Sequence, residues 1–159
     1  MGHYLVCVGK IKEKYLQQGI EEYMKRLKPY TKLQIIEVPD EPVGENLSPA
    51  SLEIAKNKEG EKILQKIPVG SFVIVLDSRG NNLSSPELSH KLDTLAVNGH
   101  SDICWVIGGS CGCSMGVVER ADLLLSFGKQ TFPHQLMRMI LLEQIYRSFR
   151  ISRNEPYHK

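Results

Sequence analysis

Short unbroken apolar runs alternate along this chain with stretches in which apolar residues recur every three or four positions, the rhythm of strands followed by helices. Tyr4 to Val8 is the first run and reads as a buried strand ending at Gly9. Leu16, Ile20, Tyr23, Met24 and Leu27 then recur at helical spacing, predicting a helix from about Glu13 to Lys28. Pro29 stops it, because proline cannot continue the hydrogen-bond ladder. Leu33 to Val38 is the second strand, and Pro39, Pro42 and Gly44 make the following acidic segment, up to Ser48, a loop. Ser48-Pro49 opens the next helix, the hydroxyl as cap and proline at the first helical position. It runs to about Lys66, and its Lys- and Glu-rich face is expected in solvent.

The second half repeats the rhythm more tightly. Phe72 to Leu76 is continuously apolar, as a strand covered on both faces would be, and Asp77-Ser78-Arg79-Gly80 is expected to turn the chain. Ser84 and Glu87 frame Pro86 in a capping-box pattern, opening a helix that ends near Asn98-Gly99. Asp102 to Ile107 is the next strand, followed by Gly108-Gly109-Ser110-Cys111-Gly112, a short helix from about Met115 to Arg120, and a strand from Asp122 to Ser126. After Phe127 to Phe132, a long helix begins at Pro133 and runs to about Ser152. Alternating strands and helices predict an α/β fold, a parallel-rich sheet flanked by helices, with residues 1–159 as a single domain.

That last helix is apolar around most of its circumference, with only Glu143, Arg147 and Arg150 gathered into a polar stripe. Such a helix is buried on several sides. Either a partner subunit covers one of them, making the protein a homodimer, or the helix is the central core element of a monomer.

Charge adds one asymmetry. Residues 129–159 hold six basic side chains against two acidic ones, so a chain of net charge +2 has +4 at its C-terminal end and −2 in the rest. A basic end of this kind either holds an anionic partner or is a solvated helix face. Cys7 and Cys104 lie inside apolar strands and behave as small hydrophobes, while Cys111 and Cys113 are too close for a zinc site and have no His pair to complete one, so no metal is expected. No apolar stretch approaches the roughly 20 residues needed to span a bilayer, and the N-terminus lacks a signal-peptide order, so a cytoplasmic protein without membrane contact is expected.

In an open α/β sheet, ligands bind beyond the carboxyl ends of the strands, where the strand order reverses. Three loops leave such ends here: Leu76 to Gly80, Gly108 to Gly112 and Phe127 to Phe132. The glycines either let a ligand approach the main chain or simply make a tight turn. The spacing is not the dinucleotide fingerprint, which argues against a nucleotide-dependent oxidoreductase, and no P-loop is present.

The pattern Val106-Ile107-Gly108-Gly109-Ser110-x-Gly112, then Leu125-Ser126-Phe127, then Thr131-Phe132-Pro133-His134-Gln135-x-x-Arg138, and finally Tyr157-His158-Lys159, resembles the RlmH (YbeA-like) family. These are large-subunit rRNA pseudouridine N3-methyltransferases of the SPOUT superfamily. Val8-Gly9-Lys10, Glu37-Val38-Pro39-Asp40, Glu59-Gly60 and Leu83-Ser84-Ser85 are similar to the same family, and the resemblance spans essentially the whole chain. The Cys-rich loop from Cys111 to Ser114, and Gly128, depart from its usual residues.

The resemblance implies a SPOUT fold with a C-terminal trefoil knot, a homodimer built around it, and transfer of a methyl group from S-adenosylmethionine to N3 of a pseudouridine in 23S rRNA of the ribosome. It places cofactor contacts on Leu76, Gly108, Phe127, Gly128, Lys129, Gln130, Thr131 and Phe132, within the three loops chosen on physical grounds. His158 is the candidate general base or base-orienting group, with Tyr157 shaping the pocket or stacking on the base, and His134 is a second choice that could equally be a packing residue. Arg138, Arg147, Arg150, Arg153 and Lys159 are candidate RNA contacts, Arg138 alternatively an ion-pair partner at a dimer interface. The rival is a non-catalytic ribosome- or RNA-binding module of the same fold.

Overall fold

The computed structural model describes residues 1–45 and 48–159. The ten elements follow the alternation of the sequence: β1 (Gly2–Val8), α1 (Lys14–Leu27), β2 (Lys32–Val38), α2 (Pro49–Lys66), β3 (Phe72–Asn82), α3 (Ser85–Val97), β4 (Asp102–Ile107), α4 (Met115–Arg120), β5 (Leu123–Ser126) and α5 (His134–Ser152). Three helices begin on serine caps. Ser48, Ser84 and Ser114 each accept the main-chain N–H three residues on, satisfying donors that a helix start leaves unpaired.

The strands form one parallel sheet in the order β2-β1-β4-β3-β5. Alternate side chains serve opposite faces. Leu5, Cys7, Ile103, Trp105 and Ile107 meet Ile20 and Leu27 of α1, Leu92 of α3 and Leu141 and Ile145 of α5. Val6, Val8, Val73, Val75, Cys104 and Val106 meet Ile63 of α2 and Val117 of α4. A sheet covered on both sides explains why its central strands are apolar without alternation.

The connections decide where a ligand can sit. From β1 to β2 and from β3 to β4 the chain steps one way through the α1 and α3 face; from β2 to β3 and from β4 to β5 it steps the other way through the opposite face. Reversing both direction and face keeps one handedness throughout, as parallel crossovers require. It also sends the chain leaving β4 to the opposite face from the chains leaving β1 and β3. The carboxyl end of β4 is therefore flanked by switch points.

Two sequence expectations change. Asp77 to Gly80, expected as a turn ending the strand, is instead a bulge within β3: Leu76 and Asn81 both lie opposite Leu125 of β5. Asp77 Oδ1 accepts the Arg79 N–H at 2.9 Å, which curls the bulge. At Gly80 the chain lies so close to β5 that a Cβ would come within 2.6 Å of the Leu124 carbonyl, so only glycine fits. The α2 face is not all in solvent, since Glu59 is 5% exposed. Part of α5 is covered within one chain: the sheet lies beneath it and α1 and α3 pack beside it, burying Leu141, Leu142, Ile145 and Tyr146, while Leu136, Ile140 and Ile151 stay partly exposed.

One buried polar pair gives the fold a pH dependence. Trp105, 0% exposed, donates its indole N–H to Nδ1 of His3 at 2.9 Å, which fixes the neutral imidazole proton on Nε2. Burial, aided by the nearby N-terminal charge, pushes His3 down to about 4. The unfolded chain, with an ordinary histidine near 6.5, binds that proton first. The stabilisation is therefore complete above pH 6.5 and is lost as pH falls toward 4, by about 3 kcal/mol in all. Denaturant unfolding at pH 7 and pH 4 should show the wild type losing about that much more than His3→Asn, which keeps an acceptor for Trp105 without a titrating ring. Equal losses in the two proteins would contradict this assignment.

Candidate functional site

The loops leaving β3, β4 and β5 converge on a cleft of about 370 Å³ at the carboxyl edge of the sheet. Leu76 to Arg79 form one wall, Gly108 to Cys113 another, and Phe132 with His134 closes it, while Lys56 reaches in from α2. Two further spaces adjoin it, one of about 100 Å³ toward Phe127, Gly128, Gln130 and Met137, the other of about 500 Å³ between Ser110 and Thr131. Phe132 borders all three. The three loops singled out in the sequence are thus brought together.

Main chain makes much of this cleft. Gly109 and Gly112 bridge to each other, and the Gly112 N–H donates to the Gly109 carbonyl at 3.0 Å, with Gly112 in the left-handed region at φ +85°. A Cβ on Gly108 would sit 2.9 Å from the main chain of Gly112, so the turn closes only because that position is bare. The charged groups are few. Asp77 and Arg79 pair at 2.8 Å, which holds the Asp77 carboxyl below its usual range. Cys113 is pushed up to about 11 by burial and the adjacent Asp77, so it stays a thiol. Burial lowers the His134 imidazole against the pull of Asp40, and its Nε2 is buried without a hydrogen-bond partner. His134 is therefore neutral near pH 7 and sits at the start of α5, facing the cleft.

The candidate residues at the C-terminal end lie elsewhere. Tyr157 packs on Tyr146 with ring centroids 4.9 Å apart and donates its hydroxyl to Glu143 at 3.1 Å; burial, with Glu143 adding to it, pushes the phenol up to about 12. Arg147 donates to His158 Nδ1 at 3.0 Å, and since a guanidinium only donates, that nitrogen is the acceptor. Glu143 is nine residues past His134, or about 14 Å along the helix. The tail of one chain thus rests midway along its own α5, and neither Tyr157 nor His158 lines the cleft.

Of the expected RNA contacts, Arg138 is corrected by its position. It is 2% exposed and donates to Glu37 at 2.6 Å and to the Gly9 carbonyl at 3.1 Å, tying α5 to the ends of β1 and β2 within one chain, so its charge is already paired there. Arg147 pairs with Glu143 at 2.7 Å, and Arg150 with Glu155 and Tyr30. Arg153 is exposed over the Tyr30 ring at 4.6 Å, and Lys159 is exposed. Lys56 went unnoticed in the sequence, Arg79 stood only within a candidate ligand loop, and Glu59 only within the Glu59-Gly60 family match. Glu59 had one signal, the glycine after it in a helix interior, which often marks close packing. Among the described residues no group of three metal-ligating side chains occurs, and no helix is long and apolar enough to cross a membrane.

The chain is similar to known proteins over its whole length. The family model described as "Predicted SPOUT methyltransferase" matches residues 1–158. A protein of Carboxydothermus hydrogenoformans named ribosomal RNA large subunit methyltransferase H is 59% identical over 155 residues, 98% of either chain. One of the same name from Clostridioides difficile is 58% identical over the same share of both. Among solved structures, a probable methylase family protein from Haemophilus influenzae shares the fold with a TM-score of 0.53 at 13% identity, over 99% of this chain and 70% of the other. A family model covering all but the last residue, and relatives more than half identical across the same span, establish that this chain belongs to the SPOUT methyltransferase family.

Proposed function

We propose that this protein transfers the methyl group of S-adenosylmethionine to N3 of a pseudouridine in 23S rRNA of the large ribosomal subunit, acting as a homodimer in the cytoplasm. The observation that carries the proposal is the near-full-length similarity to relatives named for methylating large-subunit rRNA. The cleft agrees with it. Its volume falls in the range of about 300–1,000 Å³ that cofactors occupy, and its bare glycine turn offers main-chain groups beside the apolar Leu76 and Phe132. These residues fit an adenosyl group, with Leu76, Gly108 and the segment Phe127, Gly128, Lys129, Gln130, Thr131 and Phe132 holding it.

When bound, the cofactor supplies a methyl group on a positively charged sulfur, so the donor needs no further activation. The chain's own part would be to hold N3 of the pseudouridine in line for transfer and to accept its proton, with the neutral thioether as the leaving group. Positioning of this kind contributes about 7–11 kcal/mol. A base adds about 10²–10⁴-fold. In this reading His158 takes the proton or orients the base, and Tyr157, a phenol at neutral pH, donates or stacks. Arg153 and Lys159, exposed and cationic, are the tail-side groups open to phosphates.

The resting tail supports the homodimer. His158 Nδ1 is occupied by Arg147 and the tail lies well along α5 from its own cleft, so a second copy is what brings a tail to each cleft. The trefoil knot rests on the family resemblance.

Isothermal calorimetry with S-adenosylmethionine and, separately, NADH tests the cofactor assignment. Saturable binding of the first and none of the second is expected. Binding of NADH alone would refute it.

A further inference from the structure

The least expected group beside the cleft is a carboxyl behind its glycine turn. Glu59 of α2 is 5% exposed, in a helix whose charged residues otherwise lie toward solvent. One oxygen, Oε2, accepts the Glu41 N–H at 3.0 Å. The other, Oε1, is buried with no hydrogen-bond partner. It is aimed at the turn: a Cβ built on Gly109 would lie 2.8 Å from Oε1. The next residue, Gly60, presses α2 against the cap of α4, where a Cβ would run into Ser114 Oγ. Glu59 therefore cannot swing away without separating α2 from the loop it supports.

A half-satisfied buried carboxyl is costly, and the Glu41 N–H accounts for only one of its two oxygens. What lies across the Gly108–Gly109 turn is the cleft assigned to the methyl donor. That donor is a cation before transfer and has a neutral thioether after it. We propose that Glu59 is a positioning residue for the methyl donor, a buried carboxylate behind the Gly108–Gly109 turn whose charge favours the sulfonium of S-adenosylmethionine over the spent S-adenosylhomocysteine. The inference rests on the proposed use of that cofactor.

The surrounding charges fix the direction of the effect. Burial raises the Glu59 carboxyl, and Asp40 and Glu41 raise it further, against the Glu41 N–H and Lys62, which pairs with Glu41 at 3.3 Å. On the cleft side stand Lys56, the Asp77–Arg79 pair and His134. A bound cation favours the ionised carboxyl, so donor binding releases a proton from Glu59. Donor affinity then rises with pH until Glu59 is ionised in the free protein and levels off above that, while affinity for the neutral product stays flat. Product release after transfer follows from the same charge.

The test is calorimetry of the full chain and of Glu59→Gln with S-adenosylmethionine and with S-adenosylhomocysteine across pH 5 to 8. The amide keeps the shape and an acceptor for the Glu41 N–H. Glu59→Gln is expected to bind the donor about 3- to 30-fold more weakly, the scale of one partly buried charge acting on another, to bind the product as before, and to lose the pH dependence of donor binding. A purely structural role would weaken both ligands together. An unchanged donor-to-product ratio, or a pH dependence that survives the substitution, overturns the inference. If Glu59→Gln does not fold, the wild type alone decides: donor binding in buffers of different ionisation enthalpy releases protons and product binding does not, and equal release for both ligands overturns it. A wild type that binds neither ligand overturns the methyl-donor assignment itself.

Discussion

A chain lacking Tyr157, His158 and Lys159 should fold normally, bind S-adenosylmethionine as the full chain does, and lose methyl transfer by about 10²-fold or more. The retained binding follows from the position of the tail, since neither Tyr157 nor His158 borders the cleft. The retained stability follows from what the tail leaves behind: Glu143 and Arg147 stay paired with each other at 2.7 Å, and Arg150 stays paired with Glu155. The lost transfer follows from the role given to His158. If the tail acts across the dimer, mixing the truncated chain with a full-length chain whose cleft is blocked by Gly108→Val should restore activity, because one intact cleft then meets one intact tail. Turnover by the truncated chain at the full-length rate would remove the tail from the mechanism.

The second large effect is on stability and is asymmetric. Glu37→Ala should destabilise the protein by about 3 kcal/mol, and Arg138→Met by less, about 1–2 kcal/mol. The Arg138 side chain is 3% exposed, so removing its carboxylate partner leaves a buried charge held only by the carbonyls of Gly9 and Val8. The Glu37 side chain is 37% exposed and can turn to water when its partner is gone. Methionine also keeps most of the apolar contact that the arginine stem makes. Urea unfolding of the two variants gives the order directly. Equal losses, or a larger loss for Arg138→Met, would mean that the guanidinium matters through its packing rather than its charge.

Much of this fold can be read from apolar periodicity, because both faces of the sheet are covered and every central strand is a continuous apolar run. The serine caps at Ser48, Ser84 and Ser114 also stand where local chemistry decides the conformation. The bulge at Asp77 to Gly80 could not be read in this way. It exists because β5, more than forty residues later, lies against Gly80, and no local pattern encodes that pairing. The apolar circumference of α5 pointed either to a partner or to a central core helix; α1 and α3 cover part of it, and composition shows that a helix is buried but not by what. The cleft loops were legible because strand ends and glycine placement can be read in the sequence. Glu59 was not, since a glutamate in a Lys- and Glu-rich helix looks solvated until the loop that buries it is in place. Likewise Arg138, Arg147 and Arg150 were candidate RNA contacts, and all three find carboxylates within the chain. Of the six basic residues at the C-terminal end, only Lys129, Arg153 and Lys159 are exposed.

The most direct measurement is methyl transfer itself. Large ribosomal subunits bearing the unmethylated pseudouridine would be incubated with the purified protein and methyl-labelled S-adenosylmethionine, and the rRNA digested to nucleosides for mass spectrometry. The account predicts one labelled methyl per subunit, on N3 of a pseudouridine in 23S rRNA, with a rate that saturates in the cofactor. Saturable cofactor binding with no label in the rRNA, or label on another base or on ribosomal protein, would contradict it.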